Sequence, residues 1–223
     1  MTSGIIGNGV YSFAEAAQLT SVSYRRLRAW FCGEEAGGSV LIGGDYSSQA
    51  KGGMISFHDL IDALVVARLR DHGLSLQYLR KVHAALHAEF EIDHPFCWKK
   101  LLTDGRRIFV HAADEMGEQR LRELLTRQQA FPQILLPVLK KIEYDPTSLL
   151  ARRWNVAHGV VIDPRCQRGK PIVESVGIPT AVLAHAYAAN GNDTRVVADW
   201  YDVQLRDVEA AVAFEAGISG AAA

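Results

Sequence analysis

Two helix-start signals close together, at Ser12 and Ser23, constrain the fold of this chain more than any other feature. Ser12-Phe13-Ala14-Glu15 has the spacing of a capping box. The serine hydroxyl accepts from the third helical N–H, and the glutamate reaches back to the backbone N–H of the serine. A helix to about Leu19 follows, then the polar turn Thr20-Ser21-Val22-Ser23. Ser23 is the N-cap residue of a second helix, Tyr24 to Phe31, which stops near Gly33. Two short helices joined by a tight turn form a helix-turn-helix candidate.

The segment from Gly37 to Gly53 is punctuated by glycines. Ser39 to Ile42 and Met54 to Phe57 carry Val40, Ile42 and Ile55, which suit strands, and predict a β-hairpin with a polar tip that includes Gln49 and Lys51. Phe57, Leu60, Ile61, Leu64, Val65 and Leu69 then recur at helical spacing behind Ser56, and the helix ends at Gly73. Ser75 starts another helix, with Leu76, Leu79, Val82, Leu86 and Phe90 on one face, and His94-Pro95 breaks it.

Residues 96–155 have weaker patterning. A short strand is expected over Arg107 to Ala112 and a helix over Gln119 to Arg127, while Pro132 and Pro137 interrupt the apolar stretch Phe131 to Ile142. Val160-Val161-Ile162 reads as a strand ended by Asp163-Pro164. Three helices follow, at Thr180 to Ala189, Asp193 to Tyr201 and Leu205 to about Glu215, with a disordered tail expected after Ile218. The expected architecture is mainly α. It comprises a winged helix-turn-helix domain with a small β-hairpin wing at 11–92, a connecting region at 93–155 and a three-helix, helix-turn-helix-like domain at 156–216.

The second helix carries the chemistry. Leu27 and Trp30 form its apolar side, whereas Tyr24, Arg25 and Arg28 share another and Arg26 lies at the margin. Arginines early on the second helix of such a pair are placed for phosphates and base edges, because that end enters the major groove. Ser23, Tyr24, Arg25, Arg26 and Arg28 are the candidate DNA contacts on the helix, and Gln49 and Lys51 those on the wing. The chain's 24 Lys and Arg against 25 Asp and Glu give no overall basic footprint, so such binding rests on a local patch. In the C-terminal part Asp163, Glu174, Asp193, Asp199, Asp202, Asp207, Glu209 and Glu215 outnumber the basic residues, which favours a protein partner there over DNA.

Phe13-Ala14-Glu15-Ala16-Ala17, Val22-Ser23-Tyr24-Arg25-Arg26-Leu27-Arg28-Ala29-Trp30, Ile55-Ser56-Phe57-His58-Asp59-Leu60 and Gly73-Leu74-Ser75-Leu76 together resemble the MerR-type winged helix over about residues 11–90. The resemblance implies that Arg25 and Arg28 contact DNA with Tyr24 nearby. Val161-Ile162-Asp163-Pro164, Gly169-Lys170-Pro171 and Ile178-Pro179-Thr180 resemble the DUF433 domain over about residues 158–216, although Ser175-Val176-Gly177 stands where that family often has Gly-Thr-Arg. The combination is similar to VapB-type antitoxins of mycobacteria. That likeness implies a homodimer that binds operator DNA for autoregulation and neutralises a cognate PIN-like ribonuclease toxin. The alternative it leaves is a stand-alone, ligand-responsive MerR-like regulator.

No enzyme activity is expected. Cys32, Cys97 and Cys166 are widely spaced and form no metal or disulfide framework, which fits a reducing, cytoplasmic setting. His83 and His87 stand four apart but lack a third ligand, so they read as a solvated helix face, and no metal is expected. Cys166, near His158 and Asp163 in sequence, reads as incidental. Gly169-Lys170 lacks the rest of a phosphate loop, and no cofactor is expected. The apolar stretch Ile61 to Leu69 contains Asp62 and Arg68 and is too short to span a bilayer, so no membrane association is expected.

Overall fold

The computed structural model describes residues 8–33, 40–46, 53–126 and 130–220. The architecture is mainly helical with small β-sheets. The chain divides into two units, Tyr11–Ala151 and Arg152–Ala223, the latter including Met1–Val10.

In the first unit, β1 (Tyr11–Ser12) leads into α1 (Phe13–Thr20), and the capping box forms as expected. Ser12 Oγ accepts from Glu15 N–H at 3.2 Å, and the Glu15 carboxylate accepts from Ser12 N–H at 2.8 Å. Ser21, with φ 57°, turns the chain into α2 (Tyr24–Cys32). Phe13, Ala16, Leu27, Trp30 and Phe31 are all buried, so each helix hides one side against the other.

The expected hairpin differs. Val40–Ile42 forms no strand; instead the N–H groups of Leu41 and Ile42 donate to the Trp30 carbonyl at 2.9 and 3.2 Å. The orphan carbonyl at a helix end takes these donors, and that outweighs β propensity. The strand β2 (Met54–Ile55) pairs antiparallel with β1, placing Tyr11 opposite Ile55. Phe57, expected at the end of a strand, is the first residue of α3 (Phe57–Asp71), which Ser56 and Asp59 cap reciprocally. The tip bearing Gln49 and Lys51 lies outside the described residues.

Helix α3 ends in a Schellman arrangement: Leu74 N–H donates to Leu69 O and Gly73 N–H to Arg70 O. Gly73 has φ 89°, a value that a side chain would strain. Helix α4 (Leu76–Phe90) starts at the Ser75 cap and buries Tyr78, Leu79, Val82 and Leu86.

The predicted strand at 107–112 is instead part of α5 (Arg106–Glu115). Its buried residues Ile108, Phe109, Ala112 and Ala113 follow helical spacing, which the β-branched Ile108 and Val110 obscured. Helix α6 (Gln119–Thr126) matches expectation, and α7 (Ala130–Leu139) accommodates Pro137 in its interior. Phe131, Ile134, Leu135 and Leu139 give α7 a buried face. The strand β3 (Ile142–Tyr144) follows, and Asp145 then closes a turn by accepting from Thr147 and Ser148 N–H.

The Tyr78 hydroxyl, fully buried, donates to the Phe109 carbonyl at 2.5 Å and ties α4 to α5. Burial pushes its ionisation well up. Tyr78→Phe removes this bond without removing volume, and should lower the unfolding free energy by about 1–2 kcal/mol in urea denaturation.

The strand β4 (Ala151–Ala157) starts at the last residue of the first unit; in the second unit it forms an antiparallel sheet with β5 (Val160–Ile162) and β6 (Ile172–Val173), with a bulge between Asn155 and Ala157. The helices α8 (Thr180–Ala189), α9 (Thr194–Tyr201) and α10 (Leu205–Gly220) follow. Thus α10 continues past Glu215 into the expected tail, while residues 221–223 lie outside the described residues. Val173, Leu183, Val197, Ala198, Val208 and Ala211 form the core of this unit.

Asp163 ends β5 and is gripped by Arg165, whose Nε and Nη2 donate to its two oxygens at 2.9 and 2.6 Å. Burial alone would raise the Asp163 carboxyl, but the hydrogen bonds and charge of Arg165 hold it below the usual carboxylate value. A depressed native value means the contribution is complete above that ordinary value and is lost as pH falls through the native one. The melting temperature of the unaltered chain should therefore drop more steeply below about pH 4 than that of Asp163→Asn.

Candidate functional site

Helix α2 presents Ser23, Tyr24, Arg25, Arg26 and Arg28 outward. Ser23 caps α2, accepting from Arg26 N–H at 3.4 Å. Tyr24 is 51% exposed and packs edge-on against Phe13, with ring centroids 6.1 Å apart. Arg25, Arg26 and Arg28 are exposed, and no acidic residue lies in the first turn. On the opposite side Leu27, Trp30 and Phe31 are buried. The helix therefore offers a short basic ridge beginning at a helix N-terminus, where backbone N–H groups and the dipole add to the attraction for phosphate. Cys32 and Cys166 are exposed thiols, and Asp163 is bonded by Arg165.

The structure also gathers a group that sequence patterning left apart. Asp59 and Asp62 sit on the buried side of α3, with side chains 0% exposed. His94, at the break after α4, is nearly as buried. Its Nδ1 bonds Asp62 Oδ2 at 3.0 Å, and its Nε2 bonds Asp45 Oδ1 at 3.0 Å. His58 lies beside it, ring centroids 5.2 Å apart, with Nε2 bonded to the Ala151 carbonyl at 3.0 Å.

Burial works against charge on His94, yet the hydrogen bonds to Asp45 and Asp62 and the nearby carboxylates raise it to about 11. The hydrogen bond from His94 pulls Asp45 down to about 2. Burial pushes Asp59 up to about 6. His58 is lowered, first by burial and then by the charge of His94. At neutral pH the group is thus an imidazolium held among carboxylates, with a neutral imidazole alongside. The available signal was that Asp59 and Asp62 interrupt the buried face of α3. His83 and His87, expected on a solvated helix face, differ: His83 is half-buried and packs on Phe96, whereas His87 is exposed and bonds the Ile92 carbonyl.

In the second unit, Trp200 is 68% exposed, and Tyr201 and Leu205 beside it are also exposed. They form an apolar corner where α9 passes into α10. Among the described residues no helix is long and apolar enough to cross a membrane.

No curated protein matches the chain. Its structure is similar to the crystal structure of Rv2018 from Mycobacterium tuberculosis, with a TM-score of 0.73 at 24% identity over 91% of this chain and 96% of that one. Residues 160–214 match the model of DUF433, described as a protein of unknown function. The chain thus shares the fold of the mycobacterial protein and carries a DUF433 domain over those residues.

Proposed function

We propose that this chain is a DNA-binding antitoxin that represses its own operator and neutralises a PIN-like ribonuclease toxin. The observation that carries the DNA-binding part is the exposed ridge of Tyr24, Arg25, Arg26 and Arg28 on a helix whose other side is anchored by Leu27, Trp30 and Phe31. A rigidly seated helix with arginines at its start fits the geometry of major-groove readout in a MerR-like domain. Two copies would set two such helices on two half-sites.

The toxin-binding part is supported by the apolar corner of Trp200, Tyr201 and Leu205. Large exposed aromatic residues at one place are the usual anchors of a protein interface. The mechanism is one of binding and occlusion, without catalysis by this chain.

Co-expression with the product of the neighbouring gene tests the partner. A stoichiometric complex, with the neighbour toxic alone and harmless together, is the expected result. A neighbour that is harmless alone and does not co-purify removes the antitoxin reading and leaves a stand-alone regulator.

A further inference from the structure

The group around His94 has the donor set of a metal site. One carboxylate oxygen of Asp45 and one nitrogen each of His58 and His94 lie within 4.8 Å of one another. In each ring one nitrogen has a partner outside this trio. His58 Nε2 faces the Ala151 carbonyl, which only accepts, so this nitrogen carries the hydrogen and Nδ1 keeps its lone pair. His94 Nδ1 donates to the Asp62 carboxylate, which leaves Nε2 directed at Asp45. Metal-binding histidines are held in this way: the outer N–H donates to a carbonyl or carboxylate, which fixes the tautomer and raises the basicity of the inner nitrogen.

A second observation comes from the charge behind the rings. Asp59 and Asp62 have fully enclosed side chains, and the Oδ1 atom of each has no hydrogen-bond partner. Asp59 Oδ1 lies 3.8 Å from His94 Nδ1, and Asp59 Oδ2 accepts from Asp45 N–H at 3.3 Å. Three carboxyl groups therefore surround one imidazole, and buried polar oxygens without partners are costly. A bound cation would offset the carboxylate charge that one imidazolium leaves uncompensated.

We propose that Asp45, His58 and His94 bind one divalent transition-metal ion of the Zn2+ class, with Asp62 and the Ala151 carbonyl orienting the two rings, and that the ion fastens the 40–46 segment to α3. Two imidazoles and one carboxylate suit Zn2+, Co2+ or Ni2+, whereas Mg2+ and Ca2+ favour oxygen ligands throughout. Bonds of about 2.1 Å in a tetrahedron put ligand atoms about 3.4 Å apart, so the set must contract. Asp45 has the freedom to move inward, its side chain being 32% exposed and on a segment without regular structure. Its exposure also leaves the fourth position open to water. Without the ion, the proton on His94 Nε2 bridges to Asp45, and metal binding releases it to solvent.

The test is titration of the full chain, stripped with EDTA, by ZnCl2 and by CoCl2. Calorimetry, thermal unfolding and visible absorption follow binding. One ion per chain, a raised melting temperature and cobalt d–d bands are expected. His58→Gln and Asp45→Asn should each weaken Zn2+ binding at least tenfold, and Asp62→Asn should weaken it by roughly 10–100-fold. Circular dichroism establishes that each variant is folded before titration. Absence of binding to the unaltered chain overturns the proposal. So does Zn2+ binding that stays equally tight in folded His58→Gln or Asp45→Asn, which would put the ion at exposed thiols or surface histidines.

Discussion

Replacing Arg25 and Arg28 together by alanine should weaken binding to operator duplex by at least roughly 30-fold, with little change in stability. A well-made arginine–base contact contributes about 1–3 kcal/mol of discrimination, and about 1.4 kcal/mol corresponds to tenfold. Two such losses therefore remove at least about 2 kcal/mol. Both side chains are exposed, and substitutions of that kind shift stability by about 0.5 kcal/mol or less. Arg26→Ala should behave differently. If it meets phosphate from the margin of the ridge, as the proposed binding mode requires, its loss should weaken all sequences alike and lower the salt dependence by about one counterion. Fluorescence anisotropy at two salt concentrations separates the two effects. Unchanged affinity in the folded double variant would mean that α2 is not the reading helix.

His94→Ala should destabilise the metal-free protein by about 3–5 kcal/mol, among the largest losses available to a single side chain. His94 bonds Asp45 on one side and Asp62 on the other, and its side chain is only 5% exposed. Removing one partner of a buried ionic group leaves the others desolvated and uncompensated, which costs more than the net contribution of the intact group. The loss also frees Asp45, and with it the segment whose Leu41 and Ile42 N–H groups close the end of α2. Urea denaturation in the presence of chelator measures the effect, and the melting temperature should fall by roughly 10 °C. A loss under about 1 kcal/mol would mean that solvent compensates Asp45 and Asp62 once the imidazole is gone.

The elements with their own punctuation were legible in the sequence. Ser12, Ser23, Ser56 and Ser75 all cap helices, and Val160–Ile162 and Thr180–Ala189 coincide with the expected strand and helix. These signals act within a few residues and depend little on the rest of the fold. The pairing of β1 with β2 is a different matter. It joins segments separated by the whole helix-turn-helix, and two-residue strands leave no periodicity to read. Helix α5 was obscured because Ile108 and Val110 favour strands locally, whereas packing of Phe109 against Tyr78 and Phe131 decides for a helix. The His94 group was hidden for the same reason of distance: Asp45, His58 and His94 come from a loop, a helix start and a helix break. The exposed ridge of Tyr24, Arg25, Arg26 and Arg28, by contrast, lies within one turn and a half of a single helix, and its exposure was legible in the sequence.

Operator binding is tested most directly by a gel-shift titration of the unaltered chain. It would use the duplex upstream of its own coding region, with an unrelated duplex of the same length as competitor. A retarded complex that survives a large excess of unrelated duplex and weakens steeply as salt rises is the expected result. Folded chain that binds both duplexes equally, or neither, would contradict it.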